Sequence, residues 1–346
     1  MIRVSAGTAA VLSLKQSKME VAPTTAYLMC GTRCSRQCAF CAQGRDAKSR
    51  ADLLSRVTWP AFDPAVTADG VARAYREGGI RRACIQVVLY PDFLKDTLLA
   101  VREIKQRCDV PLCVSVYGSF DIVGQIFDAG ADGVTVPIDA VSEDVYAKTK
   151  GPGFESAVST IEACAREFPG RIGTHIVIGL GETDEAAARM IQRMYDLGVR
   201  VGLFSFTPVK GTPLEDERPP PLERYRAVQA ARFLMERGHS RAERMVFSGG
   251  RLFGFGLDEA RVVPLLCTGE AFETCGCPDC NRPYYNERPG GAMYNYPRPL
   301  TEAEARQAIS EAISGSGGSR LSYEVSCELA AYHGWARERA DEHGHR

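Results

Sequence analysis

Short apolar runs rich in β-branched residues alternate along the chain with stretches whose apolar positions recur every three or four residues. The runs Ala26–Cys30, Ala83–Leu89, Leu112–Val116, Gly133–Ile138, Ile172–Ile178, Val199–Phe206, Met245–Phe247 and Arg261–Leu265 predict strands. Between them, Thr67–Glu77, Leu94–Arg107, Phe120–Ala129, Phe154–Glu167, Asp184–Leu197 and Leu222–Glu236 predict amphipathic helices. Strands alternating with helices of this length build βαβ units around a parallel sheet. Eight strand candidates predict an α/β fold, a complete (β/α)₈ barrel of TIM type, in which the loops after the strands form the site. Ser248–Gly256 is glycine-rich and too short for an ordinary helix, so a partial barrel of six strands is the alternative.

After Pro264 the texture changes. Residues 267–299 carry cysteines, prolines, glycines and tyrosines without a period. Thr301-Glu-Ala-Glu304 has the form of a capping box, in which hydroxyl and carboxylate exchange bonds with free amides, and opens a helix running to about Ile313. A Gly/Ser linker, 314–319, and a charged tail follow. The division predicted is a barrel over 1–266 and a Cys-rich segment with C-terminal helices over 267–346. The 42 Lys and Arg balance 43 Asp and Glu, which gives no electrostatic case for a nucleic-acid surface. No apolar run approaches a membrane span and no secretory signal opens the chain, so a soluble, cytoplasmic protein is expected.

Thirteen cysteines change the picture. A reducing cytosol disfavours disulfides, so clustered cysteines point to metal or catalysis. Cys84, Cys108, Cys113 and Cys164 are isolated and read as core, since free cysteine is among the most buried residue types. Cys34-Ser-Arg-Gln-Cys38-Ala-Phe-Cys41 instead gathers three thiols in a loop after the first predicted strand. Soft thiolates suit zinc or iron–sulfur clusters. A structural zinc site or an ordinary four-iron cluster takes four protein ligands, so three leave one metal position open. Cys30 is expected to point at the barrel wall.

Cys-x₃-Cys-x₂-Cys with Phe40 before the last cysteine resembles the signature of the radical S-adenosylmethionine (SAM) superfamily. The resemblance implies a radical SAM (β/α) barrel with a [4Fe–4S] cluster on Cys34, Cys38 and Cys41, whose open iron chelates SAM. Electron transfer into the sulfonium would release methionine and a 5′-deoxyadenosyl radical, the cofactor carrying the chemistry. It also implies SAM contacts from Phe40, from Gly78-Gly79, from Asp139 on the ribose, and from Ile178 and Gly179 beside the adenine. An N-terminal helix role is the alternative for Asp139, and His175 reads as a hydrogen-bonded core residue. Phe204-Ser-Phe-Thr-Pro-Val-Lys-Gly-Thr-Pro213 is similar to the sixth strand and loop of biotin-synthase-like members. No catalytic side chain is assigned.

Cys275-Gly-Cys277-Pro-Asp-Cys280 puts three more thiols in a segment with little apolar core, so metal binding there would be folding free energy. A second iron–sulfur cluster is the main reading and zinc, with the distant His333, the other. Cys267 and Ser322 are rival fourth ligands. Residues 277–297 resemble the C-terminal region of the two-component lipoyl synthases. That resemblance implies sulfur insertion at two carbons of an octanoyl chain on a lipoyl-domain or H-protein. Its other implied partners are a second radical SAM subunit and an electron donor such as ferredoxin or flavodoxin. Other biotin-synthase-like reactions (biotin synthase, methylornithine synthase, hydrogenase maturation) are alternatives within this branch. From a different class, the alternative is a zinc-stabilised barrel that binds a carrier protein or tRNA.

Overall fold

The computed structural model describes residues 1–285, 287 and 290–317. The chain opens with β1 (Ile2–Val4), α1 (Ala6–Val11), β2 (Thr25–Cys30) and three two-residue strands, β3 (Leu53–Leu54), β4 (Val57–Thr58) and β5 (Ala61–Phe62). Alternating units follow: α2 (Pro64–Arg76), β6 (Arg82–Val87), α3 (Phe93–Lys105), β7 (Leu112–Ser115), α4 (Phe120–Asp128) and β8 (Gly133–Thr135). Then come α5 (Glu143–Lys150), α6 (Phe154–Glu167), β9 (Ile172–Ile178), α7 (Asp184–Asp196), β10 (Arg200–Ser205) and α8 (Leu222–Glu236). A hairpin of β11 (Val246–Ser248) and β12 (Arg251–Gly254), helix α9 (Glu259–Leu266) and helix α10 (Glu302–Gly315) complete the described chain.

Six strands, in the order β10-β9-β8-β7-β6-β2, run parallel, and β1 then β5 extend the sheet antiparallel beyond β2. The parallel strands are buried on both faces, as crossover helices require. Along β9 the period of two is explicit. Gly173, His175 and Val177 face the interior cavity, while Ile172, Ile176 and Ile178 are buried in the main core.

A complete eight-stranded barrel is not what forms among the described residues. The expected seventh strand pairs instead with β12 across Gly249-Gly250, whose φ values of +55° and +79° suit a two-residue hairpin turn. A parallel neighbour would need a long crossover. The expected eighth strand is helix α9, in which Val262, Val263 and Leu266 bury one face. The capping box at Thr301 and Glu304 is present, and α10 packs on α8. No helix among the described residues is long and apolar enough to cross a membrane.

Candidate active site

The loop after β2 starts at Gly31, where φ is +88° and an added Cβ would stand 2.4 Å from Val88, so only glycine turns the chain here. Backbone bonds then fix the thiols from three sides. Cys34 N–H donates to Gln43 O (2.8 Å), Ser35 N–H to Leu89 O (2.7 Å) and Ala39 N–H to Thr149 O (2.7 Å). Cys34 Sγ accepts from Leu89 N–H at 3.4 Å. The loop is therefore held by the chain leaving β6 and by the last turn of α5, and Cys34, Cys38 and Cys41 line one cavity inside the sheet. Burial pushes the Cys41 thiol up to about 12 and raises Cys38, which Lys150 opposes. Cluster loading must displace these protons.

Charged groups gather beside the loop, Asp139 together with Lys150 and Arg36, which the sequence did not single out. Lys150 Nζ, almost wholly buried, donates to Asp139 Oδ2 at 2.6 Å and to Pro137 O at 2.7 Å. Its own carbonyl accepts from Arg36 Nη2 at 2.8 Å, and the Arg36 guanidinium lies 3.9 Å from the centre of the Tyr117 ring. Asp139 holds a left-handed φ of +59°, a conformation an aspartate keeps only where its surroundings fix it. All four residues line the cavity. Nothing in the sequence marked Lys150, because α5 has too weak an apolar face to be recognised.

The remaining predicted contacts divide. Phe40 and Asp139 reach the cavity. Gly78 and Gly79 do not; they terminate α2, Gly79 N–H bonding Ala74 O and Gly78 N–H bonding Tyr75 O. This is a helix C-cap with Gly78 at φ +74°, at the N-terminal end of β6 and so opposite the cysteine loop. Ile178 faces the helices rather than the cavity, and Val177 takes the interior position. Gly179 makes its close approach to Pro220, 2.7 Å from a would-be Cβ, while its N–H donates to Glu182 Oε1. His175 faces inward, edge-on to Phe204 at 4.9 Å, and burial lowers it to about 4.

The second cysteine segment forms the cavity's other end. Arg282 N–H donates to Tyr27 Oη (2.8 Å), Thr24 Oγ1 donates to Asp279 O, and Arg282 Nη2 donates to Cys275 O (3.1 Å). The segment thus runs from β10 to β2 across the N-terminal ends of the strands. Cys277 and Cys280 line the same cavity as Cys34, Cys38 and Cys41. Cys275 Sγ instead accepts from Leu203 N–H at 3.3 Å. Cys267 is buried at the end of α9, and Cys30 is buried in β2. Ser322 and His333 lie outside the described residues. Among the described residues, no three His, Cys, Asp or Glu side chains are gathered around a single metal-ion position. A four-iron cluster takes its thiolates on separate irons, and the three loop thiols would leave one of those irons without a protein ligand.

A family model described as the radical SAM superfamily matches residues 28–194, from β2 through most of α7 and including all three loop cysteines. The chain carries a radical SAM domain. Over 189 residues it is 29% identical to the lipoyl synthase of Halobacterium salinarum, covering 51% of this chain and 56% of that one. Over 186 residues it is 22% identical to the lipoyl synthase of Halorubrum lacusprofundi, covering 52% and 57%. The chain spans about half the length of the curated relatives it matches. Among solved structures, methylornithine synthase aligns at 16% identity and a TM-score of 0.49, over 61% of this chain and 62% of that one. The FeFe-hydrogenase maturase HydG from Carboxydothermus hydrogenoformans aligns at 16% and 0.49, over 62% and 52%. A radical SAM domain implies a [4Fe–4S] cluster and SAM, and the donor set at the cavity mouth fits both.

Proposed function

We propose that this radical SAM enzyme inserts sulfur into a protein-bound octanoyl chain, as a lipoyl synthase component. One observation carries the reading: a single interior cavity has three thiols at its mouth and further thiols at its floor. When bound, the mouth cluster and SAM supply the radical that removes hydrogen from an unactivated carbon, and a floor cluster supplies sulfide. The chain's own residues do the rest. Asp139, fixed by Lys150, accepts hydrogen bonds from a ribose, and Phe40 and Val177 supply apolar contact. Met29, Phe204, Phe206 and Tyr285 give an acyl chain a largely apolar path between the two ends. The similarity to archaeal lipoyl synthases supports the same substrate class. The partners are then an octanoylated lipoyl-domain or H-protein, a second radical SAM subunit, and a ferredoxin or flavodoxin.

The test is anaerobic turnover of reconstituted protein with SAM, a reductant and an octanoyl-lysyl peptide, with and without the second subunit. Formation of 5′-deoxyadenosine together with peptide gaining sulfur, seen by mass spectrometry, supports the proposal. SAM cleavage with no sulfur in any peptide product would leave a radical SAM enzyme of another reaction type.

A further inference from the structure

Two cysteines that read as core filler meet two from the C-terminal segment. Parallel pairing sets Tyr27, Cys84, Cys113 and Gly133 in register across β2, β6, β7 and β8, and residues in register share a face of the sheet. That face is the cavity side: Cys84 lines it, as do Gln86 and Ser115 two residues further along their strands. Cys277 Sγ lies 3.8 Å from Cys113 Sγ. Cys280 Sγ lies 3.3 Å from Tyr27 Oη, the neighbour in register of Cys84. Four thiols, two on strands and two on a loop, therefore converge on one layer of the cavity floor. All four are free, and a contact of 3.8 Å is far outside disulfide length. Cys275 turns away to the free edge of β10, where it accepts from Leu203 N–H.

We infer that Cys84, Cys113, Cys277 and Cys280 are the thiolate ligands of a second iron–sulfur cluster, and that Cys275 is not a ligand. Four thiolates close the site, unlike the open three-thiol site at the mouth. The surroundings suit an anion. Arg82 Nη2 stands 3.7 Å from Cys113 Sγ, and Arg82 Nη1 donates to Pro278 O at 2.7 Å. The Nε atoms of Arg82 and Arg200 are buried without a hydrogen-bond partner. Gly133, in the same layer, leaves the room Arg200 needs, since an added Cβ would stand 3.0 Å from Arg200 Nη2. Buried guanidinium groups with unused donors are costly unless an anion lies nearby, and a thiolate-ligated cluster supplies one. The ligand assignment rests on the sulfur-insertion reading only for the cluster's role.

The experiment is iron, sulfide and zinc analysis with Mössbauer spectroscopy on the full-length chain, purified without oxygen. Single Cys84→Ser, Cys113→Ser, Cys277→Ser, Cys280→Ser and Cys275→Ser variants accompany the wild type. About eight irons in the wild type and in Cys275→Ser, falling toward about four in each of the other variants, is the expected result for two four-iron clusters. The SAM-induced change in the electron paramagnetic resonance signal of the reduced mouth cluster, if retained, shows that a variant still folds. Should a strand variant lose that signal, alkylation of the wild type before and after iron chelation replaces it. Cys84, Cys277 and Cys280 are expected to become reactive on iron loss, with the Cys275 rate unchanged. Iron loss in Cys275→Ser but not in Cys84→Ser or Cys113→Ser would overturn the ligand set while sparing sulfur insertion. About four irons in every variant, or zinc at the floor, would overturn both.

Discussion

Lys150 and Asp139 show how much of this site depends on single side chains. Lys150 is almost wholly buried and also donates to backbone carbonyls, while Asp139, largely buried, holds a left-handed φ. Removing one partner of a buried pair costs far more than the pair contributes, so the informative change keeps the shape. Asp139→Asn retains one acceptor oxygen and loses the charge; with a charge-assisted hydrogen bond worth about 1.5–3 kcal/mol, SAM affinity is expected to fall about tenfold or more. Anaerobic equilibrium dialysis reads this, and unchanged affinity would remove Asp139 from the SAM site. His175 makes a second prediction. Its folded value of about 4 lies below the ordinary value of 6.5, so between those values the unfolded chain binds the extra proton. Stability from this group is present above pH 6.5 and is lost as pH falls toward 4. Thermal unfolding of His175→Asn should therefore depend less on pH across that window than wild type does; parallel curves would mean that His175 is not held neutral by burial.

Elements were legible where period and turn chemistry agreed. The run Ile172–Ile178 became β9 without a shift, and Phe154–Glu167 and Leu222–Glu236 became α6 and α8 with the same limits. Arg261–Leu265 failed because five apolar-rich residues fit either period, and only packing decided for α9. Among site residues, Cys34, Cys38 and Cys41 were readable because three thiols share one short loop. Cys84 and Cys113 were not. Each is a lone cysteine in an apolar strand, and only strand register brings them side by side. Gly78 and Gly79 were misplaced for another reason: they precede β6 in a parallel sheet and so fall at its N-terminal end, away from the loops that follow the strands. The helix-start signal at Thr301 did carry over, with both arms of its capping box formed. Thr301→Ala should cost about 1 kcal/mol, the usual worth of an N-cap. Glu304, held down to about 2 by Arg298 and Thr301, contributes fully above its ordinary value of 4.5. That contribution fades as pH falls from 4.5 toward 2. The destabilisation by Glu304→Gln, measured by denaturant unfolding, should therefore be largest above pH 5 and shrink steadily toward pH 2; a penalty constant with pH would show that charge is not what Glu304 brings.

At the scale of the molecule, the cavity floor hangs from α8. Arg226, almost fully buried, donates to Tyr294 O at 2.8 Å, to Met293 O and to Glu311 Oε2 at 3.2 Å on α10. One turn along, Gln229 Nε2 bonds Tyr294 O at 3.0 Å and Phe272 O at 3.4 Å, and Tyr225 Oη donates to Asn295 at 3.0 Å. Phe272 and Met293–Asn295 flank the segment that carries Cys277 and Cys280, so three side chains of one helix grip both of its ends. Arg226→Met keeps the apolar stem but strands the Met293 carbonyl and takes the charged donor from Gln229 Oε1 and Glu311 Oε2, at a cost of about 3 kcal/mol for breaking a buried charged network. None of these bonds reaches the cysteine loop at the mouth, which is fixed by Leu89, Gln43 and Thr149. The variant is therefore expected to melt at lower temperature and to bind less iron at the floor, while the mouth still gives its SAM-dependent resonance signal. Loss of both iron populations together would mean that the floor segment and the barrel fold as one cooperative unit. Retention of both would mean that the contacts of the floor with β2, β6 and β10 hold it without α8.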